Sequence, residues 1–452
     1  MILRVVRDIY CFKTSIVYYE RIMKFIVRGG KPLRGEIELM GAKNEATKVL
    51  VASLLTDEPC TFEHFPRIGD AAITADLCRA IGSEINDAGG ALTIRTKEIG
   101  ASHIPSQSRK NRIPILTLGP LLARAGEAHV PVLGGDKIGP RPLDIHLDAL
   151  RAMGANIEAD EEGYHAKAPH GLKGANVSFR FPSVGATENT ILAAVLAKGR
   201  TTIRNAAIEP EIIDMIGMLQ KMGAIIEIGA NRTIYIDGVP RLSGVRHSLI
   251  PDRNEAVSFA CLAILSGGEV LVRGAVQEHL MTFLNAVRRI GAGYEVREDG
   301  IVFSRPGALH GIELETDTHP GFMTDWQQPF AVLLTAAQGT SVIHETVYED
   351  RFGYTEDLNS MGADIKVFSK CLGELSCRFQ GHGFAHSAII HGPTPLRSAS
   401  LRVRDLRSGI AHVIAALAAE GESVIEGVEE IDRGYERIDE RLRELGADIT
   451  RE

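Results

Sequence analysis

The chain has 452 residues, with 50 lysines and arginines against 58 aspartates and glutamates, and its formal net charge is −8. Hydrophobic residues make up 44% and charged residues 24%, proportions that exclude a disordered or fibrous chain. At roughly 150 residues per domain, this length predicts two or three domains. The negative charge argues against a nucleic-acid-binding protein that works through bulk charge, although it is compatible with a local basic cleft.

The six cysteines are scattered, with no CxxC pair and no apparent cluster with histidines. We therefore expect neither a disulfide framework nor a zinc site, and reduced thiols in a cytoplasm are the default. No uncharged apolar run reaches the roughly 18 residues that a membrane-spanning helix needs. Residues 1–22 carry too many charges for a signal peptide, so they are interpreted as an N-terminal extension or a misplaced start.

One short phrase recurs along the chain at intervals of roughly 70 residues: an amphipathic run, a glycine and a strand-like run. Its glycines are Gly82, Gly154, Gly223, Gly291, Gly362 and Gly446, and the last interval is the longest. A glycine after a helix favours a left-handed C-cap. A second phrase, an Ala/Leu-rich helix followed by a glycine turn and a β-branched strand, alternates with the first. Chance recurrence of common glycine turns is the alternative interpretation.

The repeat predicts an α/β fold of six units, each read as helix, strand, helix, strand and strand. Segments such as ILAAVLA (191–197) and FACLAIL (259–265) are apolar on nearly every side, which is typical of helices inside a domain. We therefore expect two domains of three βαβαββ-like repeats, with helices inside and sheets outside. The division between the domains is expected near residue 250, where HSLIPDRNEA resembles a turn into a helix.

The first polar segment is GAKNEATKVLVASLL, in which Asn44 is a good N-cap and Lys43 stands just before the helix. Backbone N–H groups and the helix dipole favour anions at such an end. A lysine there indicates an anion-binding site, and an ordinary solvated lysine is the alternative.

The second polar segment, GGDKIGPRPLD (134–144), combines glycines with prolines on either side of Arg141. Glycines favour mobility and prolines restrict the backbone. A mobile loop that carries Asp136 and Lys137, followed by a fixed arginine, is typical of a lid over an anionic ligand. An exposed hairpin is the alternative.

In the second half of the chain, polar residues precede apolar helices at two places. Thr324 and Asp325 precede one such helix, and helix capping is the alternative role for the aspartate. Asp405 is a candidate cap, and Arg407 follows it in the first turn, where a cation opposes the helix dipole. Further cationic candidates are Arg112, Arg351 and Arg433. Together these cations predict a substrate with phosphate and carboxylate groups. The absence of Walker, GxGxxG and HExxH motifs leaves ATP, NAD and catalytic zinc without support.

Nine segments carry a family resemblance. They are GAKN (41–44), LGPLLAR (118–124), GGDKIGPRPLD (134–144), PSVGATEN (182–189), EPEIID (209–214), HPGFMTDWQ (319–327), EDRF (349–352), DLRSG (405–409) and IDRGYER (431–437). They resemble the UDP-N-acetylglucosamine 1-carboxyvinyltransferases, enolpyruvyl transferases that catalyse the first committed step of peptidoglycan synthesis. The resemblance runs from about Met23 to the C-terminus. The sister enzyme of the shikimate pathway has a GSKS-type phrase where GAKN stands here.

The resemblance implies two domains of three inverted βαβαββ units with the active site between them. Residues 43–250 would form one domain, which carries the glycine-rich lid, and residues 23–42 plus 251–452 the other. It further implies a cytoplasmic enzyme that transfers enolpyruvyl from phosphoenolpyruvate to the 3′-hydroxyl of UDP-N-acetylglucosamine and releases phosphate. The reaction is an addition followed by an elimination, with no metal and no organic cofactor. Such chemistry needs a base, an acid and a cationic cradle.

The resemblance also implies the site residues. Catalytic roles fall to Lys43, Asp136, Asp325 (the candidate base) and Asp405, which would orient its neighbours and act near C3 of phosphoenolpyruvate. Phosphoenolpyruvate contacts fall to Lys43, Asn44, Arg141, Arg351, Arg407 and Arg433. UDP-N-acetylglucosamine contacts fall to Asn44, Arg112, Arg141, Pro142, Leu143, Asp144, Ile145, Ser183, Val184, Gly185, Asp325 and Val347.

Two positions depart from the family pattern. Asp136 stands where most members have cysteine, and an ordinary aspartate, with a pKa of about 3.9, needs a raised pKa to donate a proton. A carboxylate is also a poorer nucleophile than a thiolate, so we expect insensitivity to fosfomycin, which alkylates that thiol. Phe181 stands where some relatives have lysine near the UDP. The alternative functions are a paralogue with another acceptor and a catalytically silent UDP-sugar-binding regulator.

Overall fold

The computed structural model describes residues 23–88, 90–104, 111–134, 143–375 and 377–452. The interpretation of residues 1–22, and the expectations for Asp136, Arg141 and Pro142, lie outside these ranges. No helix among the described residues is long and apolar enough to cross a membrane.

Short helices and strands alternate along the chain. The helices are α1 (Lys43–Ala52), α2 (Gly69–Ile81), α3 (Leu118–Arg124), α4 (Asp144–Ala152), α5 (Val184–Ala194), α6 (Pro210–Lys221), α7 (Arg253–Leu265), α8 (Met281–Arg289), α9 (Gln327–Leu334), α10 (Thr355–Ser360), α11 (Leu406–Ala418), α12 (Glu429–Asp432) and α13 (Ile438–Glu444). The strands are β1 (Lys24–Arg28), β2 (Arg34–Glu38), β3 (Cys60–Glu63), β4 (Glu84–Ala88), β5 (Ala91–Arg95), β6 (Glu127–Pro131), β7 (Asn156–Ala159), β8 (Gly163–Lys167), β9 (Asn176–Ser178), β10 (Arg200–Arg204), β11 (Ile225–Gly229), β12 (Thr233–Asp237), β13 (Val245–Ser248), β14 (Glu269–Arg273), β15 (Gly293–Arg297), β16 (Gly300–Ser304), β17 (Leu309–His310), β18 (Glu313–Glu315), β19 (Ala337–His344), β20 (Asp364–Phe368), β21 (Ser387–Gly392), β22 (Ser400–Arg402), β23 (Glu422–Glu426) and β24 (Asp448–Arg451).

The described strands form six sheets, which confirms the six-fold repeat. Their strand orders are β13-β3-β5-β4, β6-β8-β7, β11-β12-β10-β9, β15-β16-β14-β2, β17-β19-β21-β20 with β18 also on β19, and β22-β23-β1-β24. Five sheets combine antiparallel neighbours with a parallel strand at one edge. In the sheet β6-β8-β7, a single parallel bridge between His103 and His129 takes that place.

The buried apolar residues form two separate clusters. One is drawn from residues 46–249, and the other from residues 25–39 together with 256–449. The domain boundaries remain a prediction, which this division supports. Helix α7 is buried from Arg253 to Ile264, and α11 is buried over nearly its whole length. These helices therefore lie inside their domain, as their apolar sequences predict.

The recurring glycine ends a helix in every repeat. All six of these glycines have a positive φ, between 83° and 122°. A residue with a β-carbon is strained in this region, so glycine is the natural choice at these turns. The C-cap expectation is confirmed.

The two domains are joined by two chain segments that run side by side. Gly41 and Pro251 form an antiparallel bridge, and the Ala42 N–H donates to the Ile250 carbonyl at 2.8 Å. The Asp252 carboxylate accepts hydrogen bonds from the backbone N–H groups of Lys43, at 2.9 Å, and Asn254, at 2.7 Å. One side chain therefore caps the starts of both α1 and α7.

The hairpin between β20 and β21 is far longer than its counterparts. It spans residues 369–386, whereas the equivalent turns span 160–162, 230–232 and 298–299. This loop brings Cys371 and Cys377 to two histidines, His344 and His386. The expectation of no Cys/His cluster is therefore wrong, because the cluster forms between strands that are distant in the sequence.

Candidate active site

A cleft of about 490 Å³ lies between the two domains. The first domain lines it with Lys43, Asn44, Asp70, Arg112, Phe181, Ser183, Val184, Gly185 and Glu188, among others. The second lines it with Thr324, Asp325, Val347, Arg351, Arg378, Arg407 and Arg433, among others. Most of the described site residues expected from the sequence therefore meet in one place.

Lys43 is held against an aspartate that the sequence analysis did not single out. Its Nζ lies 2.9 Å from Asp70 Oδ2, and the Nε of Arg433 lies 3.1 Å from Asp70 Oδ1. Burial alone would raise the pKa of Asp70, but the two cations outweigh it and lower the pKa below its ordinary value. Asp70 thus links a lysine of one domain to an arginine of the other.

The start of α1 differs from the expectation in one detail. The helix begins at Lys43, its N-cap is Ala42, and Asn44 lies in the first turn. Asn44 is therefore not the N-cap, because Asp252 binds the first backbone N–H from the other connecting segment. This arrangement leaves Asn44 and Lys43 in the cleft wall.

Asp325 lies in a 3₁₀ turn, Thr324–Trp326, directly ahead of α9. Arg351 Nη2 donates to Asp325 Oδ1 at 2.7 Å, and Arg407 Nε donates to Oδ2 at 3.2 Å. The carboxylate therefore binds two guanidinium groups. Burial would raise the pKa of Asp325, but Arg407 and Arg351 hold it well below its ordinary value.

Arg407 occupies the first turn of α11, where the helix dipole disfavours a cation. Its Nη1 donates to the Tyr435 hydroxyl at 3.2 Å, and Asp325 supplies the opposing charge. Asp405 is the N-cap and accepts from the backbone N–H groups of Arg407, at 2.9 Å, and Ser408, at 3.1 Å. The structure thus gives Asp405 a capping contact, and its catalytic role stays a prediction.

A buried glutamate at the end of β19 organises the loops around Asp325. Glu345 accepts hydrogen bonds from Thr324 Oγ1 at 2.9 Å and from the backbone N–H groups of Val347, at 2.8 Å, and Tyr348, at 3.1 Å. Arg351 Nη1 in turn donates to Thr324 Oγ1 at 3.1 Å. Sequence reasoning missed Glu345, whose only signal is its place directly after a strand.

A second carboxylate in the cleft has the opposite character. Glu188, in α5, is 2% exposed, and its Oε1 lies 3.7 Å from Lys48 Nζ. Burial raises the pKa of Glu188 to about 7; Lys48 acts against the shift, and Glu209 and Glu211 reinforce it. Sequence reasoning missed this group, although it lies within PSVGATEN.

The residues expected near a UDP-sugar separate into two sets. Ser183, the N-cap of α5, lines the cleft with the two residues that follow it. By contrast, Asp144 receives two hydrogen bonds from Arg180, at 2.6 and 2.9 Å, and Ile145 is buried in the core. Leu143 and Asp144 are not among the residues that line the cleft.

Phe181 is not itself a cation, but an arginine side chain lies beside it. The guanidinium of Arg378 lies 4.5 Å from the centre of the Phe181 ring, and it also donates to the Val347 carbonyl. Such a stacked arginine contributes about 0.5–1 kcal/mol at an exposed site. Arg378 therefore brings positive charge to the place where some relatives carry lysine.

Comparisons with known proteins agree with this geometry. Residues 27–442 match the family model described as EPSP synthase (3-phosphoshikimate 1-carboxyvinyltransferase). The chain is 52% identical over 433 residues to the UDP-N-acetylglucosamine 1-carboxyvinyltransferase of Protochlamydia amoebophila, covering 94% of this chain and 93% of that one. The enzyme of the same name from Chlamydia pneumoniae is 51% identical, with 92% of each chain covered.

Solved structures share the fold. The enolpyruvyl transferase NikO from Streptomyces tendae superposes with a TM-score of 0.83 at 23% identity, covering 95% of this chain and 99% of that chain. An EPSP synthase from Acinetobacter baumannii superposes with a TM-score of 0.70 at 20% identity, covering 95% and 100%. The expected two-domain architecture is confirmed.

Proposed function

The chain belongs to the EPSP synthase (3-phosphoshikimate 1-carboxyvinyltransferase) family, and from that premise we propose that it transfers enolpyruvyl from phosphoenolpyruvate to the 3′-hydroxyl of UDP-N-acetylglucosamine. Phosphate is the second product, and peptidoglycan synthesis is the pathway. Its relatives at 51–52% identity carry the name of that activity. The observation that carries the proposal is Asp325, bound by two arginines in a cleft that Lys43 and Arg433 also line.

The cations match the charges of phosphoenolpyruvate. In the addition step, the sugar oxygen bonds to C2 and a proton adds to C3. In the elimination step, the bond between C2 and the phosphate oxygen breaks and C3 loses a proton. Negative charge develops on the phosphate as it leaves, so guanidinium and ammonium groups held in advance stabilise that state. Lys43 and Arg433 are assigned to the phosphate, and Arg351 and Arg407 to the carboxylate.

Asp325 is assigned as the base that takes the proton of the sugar hydroxyl. While both guanidinium groups bind it, its depressed pKa makes it a weak base. An anionic substrate competes for Arg351 and Arg407 and raises the proton affinity of Asp325 when the base is needed. Substrate binding and base activation are coupled in this scheme.

The UDP-sugar is assigned to the part of the cleft lined by Arg112, Val347 and the start of α5. Backbone N–H groups at a helix start suit an anion. Asp136 and Arg141 keep their expected roles on the lid, and Asp405 keeps its expected role near C3. Insensitivity to fosfomycin remains the expected outcome, and covalent labelling at Asp136 would contradict it.

Small molecules are the partners in this proposal, and the cytoplasm is the proposed location. The described cysteines Cys60, Cys78, Cys261, Cys371 and Cys377 are free, which is compatible with a reducing compartment.

The test is phosphate release from purified protein mixed with phosphoenolpyruvate and UDP-N-acetylglucosamine. Asp325→Asn removes the base, and we expect its turnover to fall about 10³-fold. Asp76→Asn is the matched control, because Asp76 is exposed on α2 and its ion pair among the described residues is with Arg79, one turn along the same helix. Two control results are expected. The unmodified protein releases phosphate only when both substrates are present, and Asp76→Asn releases phosphate at the rate of the unmodified protein.

Two outcomes would replace the proposal. Phosphate release with another acceptor, and not with UDP-N-acetylglucosamine, identifies a paralogue. No release, with UDP-N-acetylglucosamine bound in calorimetry, identifies a silent regulator.

A further inference from the structure

The long hairpin at residues 369–386 gathers two thiols and two imidazoles outside the cleft. His344 ends β19, His386 precedes β21, and Cys371 and Cys377 lie in the loop between β20 and β21. One ligand atom from each of the four lies within 4.8 Å of all the others. Cys371 Sγ and His386 Nε2 are 3.2 Å apart.

These distances suit a tetrahedral metal ion. Zinc bonds of 2.3 Å to sulfur and 2.0–2.1 Å to nitrogen place neighbouring ligand atoms about 3.3–3.8 Å apart. The ligand atoms lie up to 4.8 Å apart, so binding a metal ion requires them to approach one another by about 1 Å. Rotation of the two cysteine side chains, which lie on a loop, supplies that movement. Two thiolates and two neutral imidazoles form one of the common structural zinc sets.

Both histidines are already oriented as ligands. His386 Nδ1 lies 2.6 Å from the Phe384 carbonyl, and His344 Nδ1 lies 2.7 Å from Ser387 Oγ. These contacts occupy each Nδ1 and leave each Nε2 available to a metal ion, and outer hydrogen bonds of this type fix the tautomer of metal-bound histidines. Both residues are fully buried, and His344 Nε2 has no hydrogen-bond partner among the described residues.

The backbone of the loop is fixed against the same histidine. Glu315 accepts hydrogen bonds from the backbone N–H groups of Glu374, at 2.6 Å, and Leu375, at 2.9 Å. A Cβ at Gly373 would lie 2.5 Å from the His344 ring and 2.4 Å from Glu315, so only glycine permits this approach. The loop is therefore built to bring Cys371 and Cys377 over His344.

We propose that Cys371, Cys377, His344 and His386 bind a structural Zn²⁺ ion that holds the 369–386 loop on its sheet. Binding releases two thiol protons, and the two thiolates neutralise the charge of the ion. The site also fixes Arg378, the residue after Cys377, which reaches Phe181 and Val347 in the cleft. The zinc site thus supports one wall of the cleft from outside, and it stands whether or not the proposed reaction is correct.

The first test is metal content. Tag-free protein is purified under reducing conditions and analysed by plasma mass spectrometry, with about one zinc per chain expected. Cys377→Ser and Cys371→Ser should each lose at least about four-fifths of that zinc, because each removes one of four ligands. His382→Ala is the matched control, since His382 is an exposed histidine of the same loop and lies outside the cluster.

Cobalt provides a second test that does not depend on zinc surviving purification. Metal-stripped protein titrated with Co²⁺ should develop the visible bands of a tetrahedral site and a thiolate charge-transfer band, and Cys377→Ser should lose both. Three results would overturn the proposal: absence of these bands in the unmodified protein, zinc in both cysteine variants equal to that of the unmodified protein, or a Cys371–Cys377 disulfide.

Proteolysis tests the effect on the loop. Lys370 and Arg378 are exposed trypsin sites on either side of the first turn of the loop. Removal of the metal should raise the rate of cleavage at these two sites at least about tenfold, because cleavage follows local opening. An unchanged rate would show that the ion does not hold the loop.

Discussion

Asp325 and Glu188 line the same cleft, and each faces a cation, yet their pKa values are shifted in opposite directions. Asp325 binds two guanidinium groups at hydrogen-bond distance, and its pKa is held well below the ordinary value. Glu188 faces one lysine at 3.7 Å and lies near Glu209 and Glu211, and burial raises its pKa to about 7. Close, paired cations outweigh burial, and a single distant one does not.

The difference gives the cleft two kinds of carboxylate. The pKa of Asp325 is held well below its ordinary value, whereas the pKa of Glu188 is raised to about 7, close to neutrality. Pairs of carboxylates with separated pKa values are typical of sites that handle protons. Arg407→Ala and Glu188→Gln test whether the surroundings described above cause this separation, and variants of Asp405 test a third carboxylate near the cleft.

The largest effect is expected for Arg407→Ala, which removes one of the two guanidinium groups on Asp325. The pKa of Asp325 then rises, because burial is opposed chiefly by Arg351, with a weaker influence from Lys43. We expect kcat/KM for phosphoenolpyruvate to fall about 10²–10³-fold. The acid limb of the pH profile of kcat/KM should move to higher pH. An unshifted acid limb would mean that the two arginines do not set the acidity of Asp325.

The next effect is expected for Glu188→Gln and concerns stability. The pKa of Glu188 is about 7 in the folded protein and about 4.5 in the unfolded chain, so the folded state binds the extra proton between these values. The contribution of Glu188 to the free energy of unfolding is therefore fully present below pH 4.5 and is lost as the pH rises towards 7. Relative to Glu188→Gln, the unmodified protein should lose about 1–3 kcal/mol between pH 5 and pH 8.

Urea unfolding at both pH values measures that difference. Glu420→Gln is a suitable control because Glu420 is exposed and distant from the cleft. If Glu188→Gln and the unmodified protein respond equally to pH, Glu188 does not titrate in this range.

The smallest effect concerns Asp405, a third carboxylate whose contacts are to backbone N–H groups. Asp405→Ala should cost about 1 kcal/mol of folding free energy, because it removes the cap of α11. Asp405→Asn should keep the cap and most of this stability. Comparing the phosphate-release rate of Asp405→Asn with that of the unmodified protein separates the roles: a normal rate indicates capping alone, and a large loss indicates the predicted action near C3.

Local patterns in the sequence predicted the repeat architecture well, because glycine turns and all-apolar helices are read within one segment. They also predicted Lys43, Asp325 and Arg407 as polar residues at helix starts. Contacts between distant segments were missed. Asp70 meets Arg433 across 363 residues, and Asp252 caps Lys43 across 209, which displaced Asn44 from the expected N-cap position.

Burial and assembly across strands account for the other misses. Glu188 looks like an ordinary polar residue of a helix until its neighbours are known. The Cys/His cluster draws His344 from the end of β19, and its cysteines and His386 from an unusually long hairpin, so no short motif marks it. In the sequence, the long hairpin is signalled only by the last interval of the repeat, between Gly362 and Gly446, which is longer than the others.

The two ends of the described chain meet in a single sheet, where β1 lies between β23 and β24. During synthesis, the residues that form the core at 46–249 leave the ribosome as one continuous stretch. Strand β1 leaves before them and has no partner strand until β23 and β24 emerge. The first domain can therefore fold before the second, which completes its sheet only once β23 and β24 have been made, and one edge of β1 stays exposed in the interval.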